Sequence, residues 1–230
     1  MLRAVANHHV RTFEERVSVH AALAEPHRLA ICDALALSDR SPSELATLLH
    51  VGSNLLAYHL LVLTEAGLVE TVPSAGDRRR RYVRLRGGLS TEVEEPAHLA
   101  PESVLFVCTH NSARSQFALA LWRRASSIPA TSAGTHPAAR VHAEARRAAG
   151  RQGLDLTGAV PRAVEDAGPP PDLVVTVCDE ANEELTLRGR LGRLHWSIAD
   201  PVAANDTEAF DTALNAVASR VAMLVEATSN

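Results

Sequence analysis

The stretch Val104 to Ser115 restricts the fold more than any other part of the chain. It reads V-L-F-V-C-T-H-N-S-A-R-S. Val104-Leu105-Phe106-Val107 is apolar and β-prone, as a buried strand requires. Cys108 stands where that strand stops. From Ser112 the pattern turns helical, with Phe117, Leu121 and the intervening alanines on a 3.6-residue period, to about Ala125. A cysteine thus sits at a strand end, followed by a short polar loop, an arginine and a helix start.

That order of elements suits an oxyanion. Backbone N–H groups of a tight loop converge on one point, and a helix N-terminus adds partial positive charge. Arg114 can hold two oxygens of one anion with its planar fork. The same field favours the thiolate of Cys108, the form in which sulfur is a nucleophile. Thr109, His110, Asn111, Ser112, Ala113, Arg114 and Ser115 are therefore the expected anion-binding loop. Asn111 and the hydroxyls of Ser112 and Ser115 orient the loop or the sulfur.

The chain has 230 residues, and three cysteines (Cys32, Cys108, Cys178) do not suggest a disulfide framework. No run approaches the ~20 apolar residues of a membrane span and no signal peptide is evident, so a cytoplasmic protein without membrane attachment is expected. Aromatic residues make up only 3%, which leaves the core to Leu, Val and Ala. Charge is uneven. Residues 1–86 hold 11 Arg against 9 Asp and Glu, and residues 87–230 hold 12 against 18. Such asymmetry suggests two domains with different partners.

The first part reads as four helices and a hairpin. Helices are expected over Arg11–Leu23, His27–Leu37 after Pro26, Ser43–Leu49 after a Ser-Pro-Ser-Glu start, and Asn54–Ala66 capped by Ser53 and stopped by Gly67. The second helix turns Leu29, Ala30, Cys32, Ala34 and Leu35 towards the core. Leu68–Val72 and Arg80–Leu85 are expected strands around a Pro73–Asp77 turn. Helix, turn, helix and an Arg-rich hairpin make a winged helix-turn-helix. Ser53, Asn54, Ala57, Tyr58 and His59 would then face DNA from the recognition helix, and Arg78, Arg79, Arg80 and Arg81 would contact phosphates or the minor groove.

Leu23-Ala24-Glu25-Pro26-His27-Arg28-Leu29 and Leu60–Val69 resemble the ArsR-type winged-helix repressors over about residues 10–86. The resemblance implies an operator and a homodimer formed through this half, because such repressors read two half-sites. Many of these proteins sense metals through cysteines near the first helix of the motif, yet Ser43–Leu49 contains none. His8, His9, His20 and His27 share no ligand spacing, so no metal site is expected.

Gly87 to Pro101, with its Gly, Pro and Glu residues, reads as a linker. This sets a DNA-binding domain at 1–86, a linker at 87–101 and a second domain at 102–230. In the second domain strands are expected over Ala130–Gly134, Asp172–Cys178 and Arg193–Ile198. Helices are expected over Pro137–Ala149, Ala181–Leu187 and Asp206–Ala227, the last with Phe210, Leu214, Val217, Val221 and Leu224 inward. Alternating strands and helices give an open, four-stranded, mostly parallel α/β sheet with its crevice at the strand C-terminal ends. Cys108, Cys178 and Asp200 all fall on that edge. Asp200, before Pro201, suits a general acid on a rigid loop.

Val107–Gln116, Ser132-Ala133-Gly134-Thr135, Asp172–Asp179 and His195-Trp196-Ser197-Ile198-Ala199-Asp200-Pro201 resemble the low-molecular-weight tyrosine phosphatase family over about residues 103–226. Within it, the His-Trp pair resembles the thiol-dependent arsenate reductases. Val202-Ala203-Ala204 replaces the aromatic residues that usually follow Asp-Pro in the phosphatases. The resemblance implies that Cys108 attacks arsenate, that Asp200 protonates the departing hydroxyl, and that a second thiol attacks the adduct. Cys178 matches the first of a relay pair seven residues apart, but Leu185 holds the second position. Either Cys178 forms a disulfide with Cys108 that is reduced from outside, or a small thiol attacks the adduct directly, with thioredoxin, glutathione–glutaredoxin and mycothiol–mycoredoxin all open as the external reductant. An oxyanion-sensing regulator without turnover and a tyrosine phosphatase are the alternatives.

Overall fold

The computed structural model describes residues 12–86, 98–204 and 206–229, which fall into two compact units. One holds 12–36, 40–72 and 82–86; the other holds 37–39, 73–81, 98–204 and 206–229. Most of the expected linker, 87–97, lies outside the described residues.

In the first unit each helix starts where a polar side chain satisfies free backbone donors. Thr12 and Glu15 form a capping box for α1 (Phe13–Leu23), and Ser41 and Glu44 form another for α3 (Pro42–Leu49). Glu25 caps α2 (Pro26–Leu35) through the Arg28 N–H. The expected Ser53 cap is not one. Helix α4 (Ser53–Glu65) begins at Ser53 itself, with Gly52 at the cap position and no side-chain cap bond. His50 makes the tight turn in the left-handed region at φ 53°, and the axes of α3 and α4 differ by 111°. That angle is in the range of a helix-turn-helix. Strands β1 (Val69–Pro73) and β2 (Arg81–Leu85) form a two-stranded sheet. Val19, Ile31, Cys32, Leu35, Leu45, Leu56, Leu63 and Leu68 pack as the core. Ile31 takes a place that the sequence reading gave to Leu29 and Ala30, both only half-buried, because Ile31 lies one turn before Leu35 on the inward stripe of α2.

The second unit is built on a parallel sheet in the order β4-β3-β5-β6. Its strands are β3 (Val104–Cys108), β4 (Ala130–Gly134), β5 (Leu173–Thr176) and β6 (Arg193–His195). Every residue of β3 and β5 is buried, as an apolar run in the middle of a covered sheet demands. Helices α5 (Arg114–Ala125), α6 (Ala143–Arg151), α7 (Asp179–Glu184), α8 (Pro201–Ala204) and α9 (Thr207–Thr228) follow. Helix α5 packs against α9, and α9 against α6. The few aromatics are concentrated at the centre. Phe106 meets Trp122 edge-on at 5.9 Å and Trp196 at 6.1 Å, so the core rests on these rings as well as on Leu, Val and Ala. Each such ring contributes about 1.5–3 kcal/mol on burial.

Two expectations about this unit change. The Pro137–Ala149 helix begins only at Ala143, capped by His142. Residues 135–142 instead lend backbone N–H groups to the Cys108 loop, a competing demand that no periodicity signals. The Arg193–Ile198 strand ends at His195, while the last helix opens as expected at Asp206, which caps the Ala209 N–H of α9.

Candidate functional site

The loop after Cys108 is held from outside by its carbonyls. The carbonyl oxygens of Cys108, Thr109, His110 and Ser112 accept hydrogen bonds from the N–H groups of Thr135, His136, Ala138 and His142, at 3.2, 2.8, 3.0 and 2.9 Å. In a planar trans peptide, turning the carbonyl out turns the next N–H in. The Asn111 N–H accordingly reaches Cys108 Sγ at 3.2 Å. Gly134 makes room for this arrangement, since a Cβ there would lie 2.7 Å from the Thr109 carbonyl oxygen.

Asn111 locks the turn. It sits in the left-handed region at φ 49° and is fully buried. Its Nδ2 donates to Ser115 Oγ at 2.8 Å and to Ser132 Oγ at 3.0 Å. Its Oδ1 accepts from Gln116 Nε2 and from the Arg162 N–H, both at 3.1 Å. Ser115 Oγ in turn lies 3.0 Å from Cys108 Sγ. Helix α5 starts at Arg114 with no side chain capping it, so its first N–H groups are left for an anion.

Arg114 is buried, and two bonds fix its plane. Nη1 donates to the Ile198 carbonyl at 3.0 Å, and Nη2 lies 3.2 Å from Asp200 Oδ1. Burial works against its charge, but Cys178, Cys108, Asp200 and Glu180 around it outweigh that and hold its pKa above the ordinary guanidinium value. Asp200 also accepts the Val202 N–H at 3.2 Å, which fixes it at the head of α8. Cys178 follows β5, and its Sγ lies 3.3 Å from Thr109 Oγ1. Burial pushes this thiol up to about 11, with Arg114 pulling the other way.

Cys108, Arg114, Asp200 and Cys178 thus meet at one edge of the sheet, with Thr109, Asn111, Ala113 and Ser115 buried around them and Ser112 half-buried. His110 is exposed, its carbonyl and not its ring serving the loop. Several bonds around the site were not assigned from the sequence. Glu180 Oε2 accepts from Thr109 Oγ1 at 2.9 Å, and Ser132 and Gln116 complete the Asn111 lock. His195 braces the Cys178 turn, with Nε2 3.1 Å from Asp179 Oδ1 and Nδ1 3.0 Å from Thr176 Oγ1. Gln116, Ser132, Asp179 and His195 stand in the stretches that carry the family resemblance, but the bonds they make are assembled by the fold and no local pattern states them; Glu180 stands outside those stretches.

In the first unit Ser53, Asn54, Ala57 and Tyr58 are exposed on α4; Arg78, Arg79, Arg80 and Arg81, which fall in the second unit, are exposed before and at the start of β2. Asp77 pairs with Arg79 at 3.0 Å. His59 contradicts its expected place on the DNA-facing side. It is 4% exposed, because three residues after Leu56 and four before Leu63 it falls on the inward stripe of α4. Although the sequence shows no metal spacing, the fold brings His59 together with Glu25 and His27.

Comparison with known proteins gives two family matches. Residues 103–230 match the family described as low molecular weight phosphotyrosine protein phosphatase, and residues 23–72 match a helix-turn-helix domain. Among solved structures, an arsenate reductase from Archaeoglobus fulgidus DSM 4304 is similar at 35% identity. The match covers 53% of this chain and 98% of that one, with a TM-score of 0.47. An arsenate reductase in a phosphate-binding state is 28% identical over 55% of this chain and 98% of its own, with a TM-score of 0.44. The tyrosine phosphatase Wzb from Escherichia coli K30, in complex with sulphate, is 22% identical over 55% and 97%, with a TM-score of 0.48. The family match spans more than half of the chain and contains the whole Cys108 loop, Cys178 and Asp200, while an ArsR-type helix-turn-helix precedes it: the chain belongs to the low molecular weight phosphotyrosine protein phosphatase family and joins that fold to a DNA-binding one.

Proposed function

We propose that the second unit reduces arsenate to arsenite with thiols and that the first unit is a transcriptional repressor, so that one chain serves arsenic resistance twice. The observation that carries the reductase reading is the second buried thiol. Cys178 touches Thr109 of the anion loop and shares the field of Arg114 with Cys108. Hydrolysis of a phosphate ester has no use for a second thiol, whereas two-electron reduction requires one. A second feature points the same way. An aryl phosphate needs apolar walls for its ring, and the residues after Asp200-Pro201 are half-buried Val202 and exposed Ala203 and Ala204.

The chemistry follows from the site. Arsenate occupies the loop, its oxygens on the inward N–H groups and Arg114. Cys108 thiolate attacks arsenic(V) and forms an S–As bond. Asp200, protonated for this step, gives its proton to the departing oxygen, which leaves as water. Cys178 then attacks Cys108 sulfur, and its thiol proton passes to an oxygen of the departing arsenic group. An S–S bond forms, the S–As bond breaks, and its electron pair stays on arsenic as arsenite. Two thiols have lost two electrons and arsenic has gained two. An external thiol, from thioredoxin, glutathione–glutaredoxin or mycothiol–mycoredoxin, then restores the pair. Position 185, a leucine, offers no third thiol within the chain.

On the regulatory side the partners are a DNA operator and a second copy of the chain. Phe13 and Val17, one turn apart on α1, are 73% and 51% exposed and suit a homodimer contact. Among the described residues no single helix is long and apolar enough to cross a membrane. DNA and the reducing thiol pools meet in the cytoplasm, where we place the protein.

The direct test is to add arsenate to the reduced protein, block free thiols, and map disulfides by mass spectrometry. A Cys108–Cys178 bond formed with arsenate and not with phosphate is expected. Both cysteines still free after arsenate and a nitrophenyl phosphate hydrolysed at a useful rate would favour the phosphatase reading instead.

A further inference from the structure

The first unit contains a polar cluster that neither DNA binding nor the oxyanion site uses. Glu25, His27 and His59 each offer a ligand atom, and the three atoms lie within 4.8 Å of one another. Glu25 and His27 stand at the start of α2. Glu25 Oε2 accepts the Arg28 N–H at 2.9 Å, and Glu25 Oε1 lies 2.9 Å from His27 Nδ1. His59 comes from α4, its Nδ1 3.5 Å from Glu25 Oε2, and its ring stacks on His27 at 5.4 Å and 14°.

His59 is the unusual member. It is 96% buried, and among the described residues neither ring nitrogen has a hydrogen-bond partner. A buried imidazole left in that state is costly, and native folds seldom tolerate it without a ligand. A metal ion bound at one ring nitrogen removes part of that cost. The carboxylate and the second imidazole beside it complete a donor set that is borderline in softness.

We infer that Glu25, His27 and His59 form a binding site for a divalent transition-metal ion of the zinc, cobalt or nickel type. Two imidazoles and one carboxylate are a ligand set for such ions, with the fourth position open to water. Calcium and magnesium, which take oxygen ligands, do not fit it. Bonds of about 2.0–2.2 Å require the three donors to draw closer than they now lie. His27 can make that move, since its side chain is 46% exposed and its present contacts are one carboxylate and one ring face. An ion there ties the N-terminus of α2 to α4, the second helix of the helix-turn-helix. Residues 25, 27 and 59 show no ligand spacing in sequence; only the packing of α2 on α4 assembles them.

Cobalt(II) is the probe, because its visible absorption reports ligand type and geometry. The full chain with Cys108→Ser and Cys178→Ser is titrated, so that the thiols of the anion site take no part. One cobalt ion per chain with the strong visible bands of a tetrahedral nitrogen and oxygen site is expected. His27→Ala and Glu25→Gln, which change half-exposed side chains and leave the core intact, should each weaken binding by more than the ~10–100-fold typical of losing an outer-shell partner. Their unchanged circular dichroism and thermal midpoint without metal would show that folding is not the cause. Absence of the bands, or cobalt binding that neither substitution weakens, would overturn the site.

Discussion

The backbone N–H of Asn111 points at the sulfur of Cys108 from 3.2 Å, in a turn that Asn111 holds at φ 49°. The nucleophile and the residue that shapes its loop are therefore one mechanical unit. Replacing Asn111 with Ala removes its buried bonds to Ser115 and Ser132 Oγ and its bond to the Arg162 N–H, and puts an unfavourable residue in the left-handed region. Together these should cost about 2–5 kcal/mol in denaturant unfolding of this unit. Asn111→Gly removes the backbone strain but not the lost bonds, so it should fall between wild type and Asn111→Ala. Equal stability of the two variants would mean that the φ angle carries no cost.

Ser115 Oγ lies 3.0 Å from the same sulfur and also accepts from Asn111. Ser115→Ala deletes one hydrogen bond to the nucleophilic sulfur without opening the loop. Alkylation of Cys108 and single-turnover rates near neutral pH should change by about 10–100-fold, the equivalent of 1.5–3 kcal/mol. An unchanged rate would remove Ser115 from the mechanism.

Asp200→Asn separates binding from catalysis. Loss of a general acid should lower the rate of adduct formation by about 10²–10⁴-fold. Asp200 also competes with the anion for Arg114, so phosphate should bind the Asn variant more tightly, as calorimetry can measure. Weaker phosphate binding would contradict the competition between Asp200 and substrate.

Burial holds the Cys178 thiol near pKa 11 in the fold, against about 8.5 for a free cysteine. The sign follows from linkage. Above the free value the unfolded chain loses this proton while the folded chain keeps it, so folding stability falls as pH rises from about 8.5 towards 11. Cys178→Ser should flatten that decline. An identical pH profile for the variant would show that Cys178 is not held protonated. Cys32, raised by burial to about 12, contributes a decline of the same sign in the first unit.

The main sheet and the Cys108 loop were legible because strand, nucleophile, arginine and helix start are contiguous in the chain. The four strands lay within a few residues of their expected places for the same reason: buried runs such as Leu173–Thr176 carry their own signal. The neighbours of the site were not legible. Asn111 needs Ser132 and Arg162, and Thr109 needs Glu180, and these pairings exist only after the sheet has formed. His59 failed for the opposite reason. It is polar and sits among DNA-facing residues, yet its position relative to Leu56 and Leu63 already placed it inward.

DNA binding should be strongly dependent on salt. Each phosphate contact adds about 0.9 to the slope of log affinity against log salt. Replacing Arg78 and Arg80 with Ala should lower that slope for a random duplex, while Tyr58→Ala should weaken binding without lowering the thermal midpoint, since Tyr58 is 57% exposed. A slope unaffected by the arginines would place the DNA contact elsewhere.

Release of arsenite from arsenate by the purified chain is the measurement closest to the central claim. It should be made with thioredoxin, glutathione–glutaredoxin and mycothiol–mycoredoxin supplied in turn, and with Cys108→Ser and Cys178→Ser as controls. Turnover with at least one donor, abolished by Cys108→Ser and strongly reduced by Cys178→Ser, is the expected result. A folded protein that releases no arsenite with any donor, while still binding phosphate in the Cys108 loop, would contradict the reductase and leave an oxyanion-binding regulator in its place.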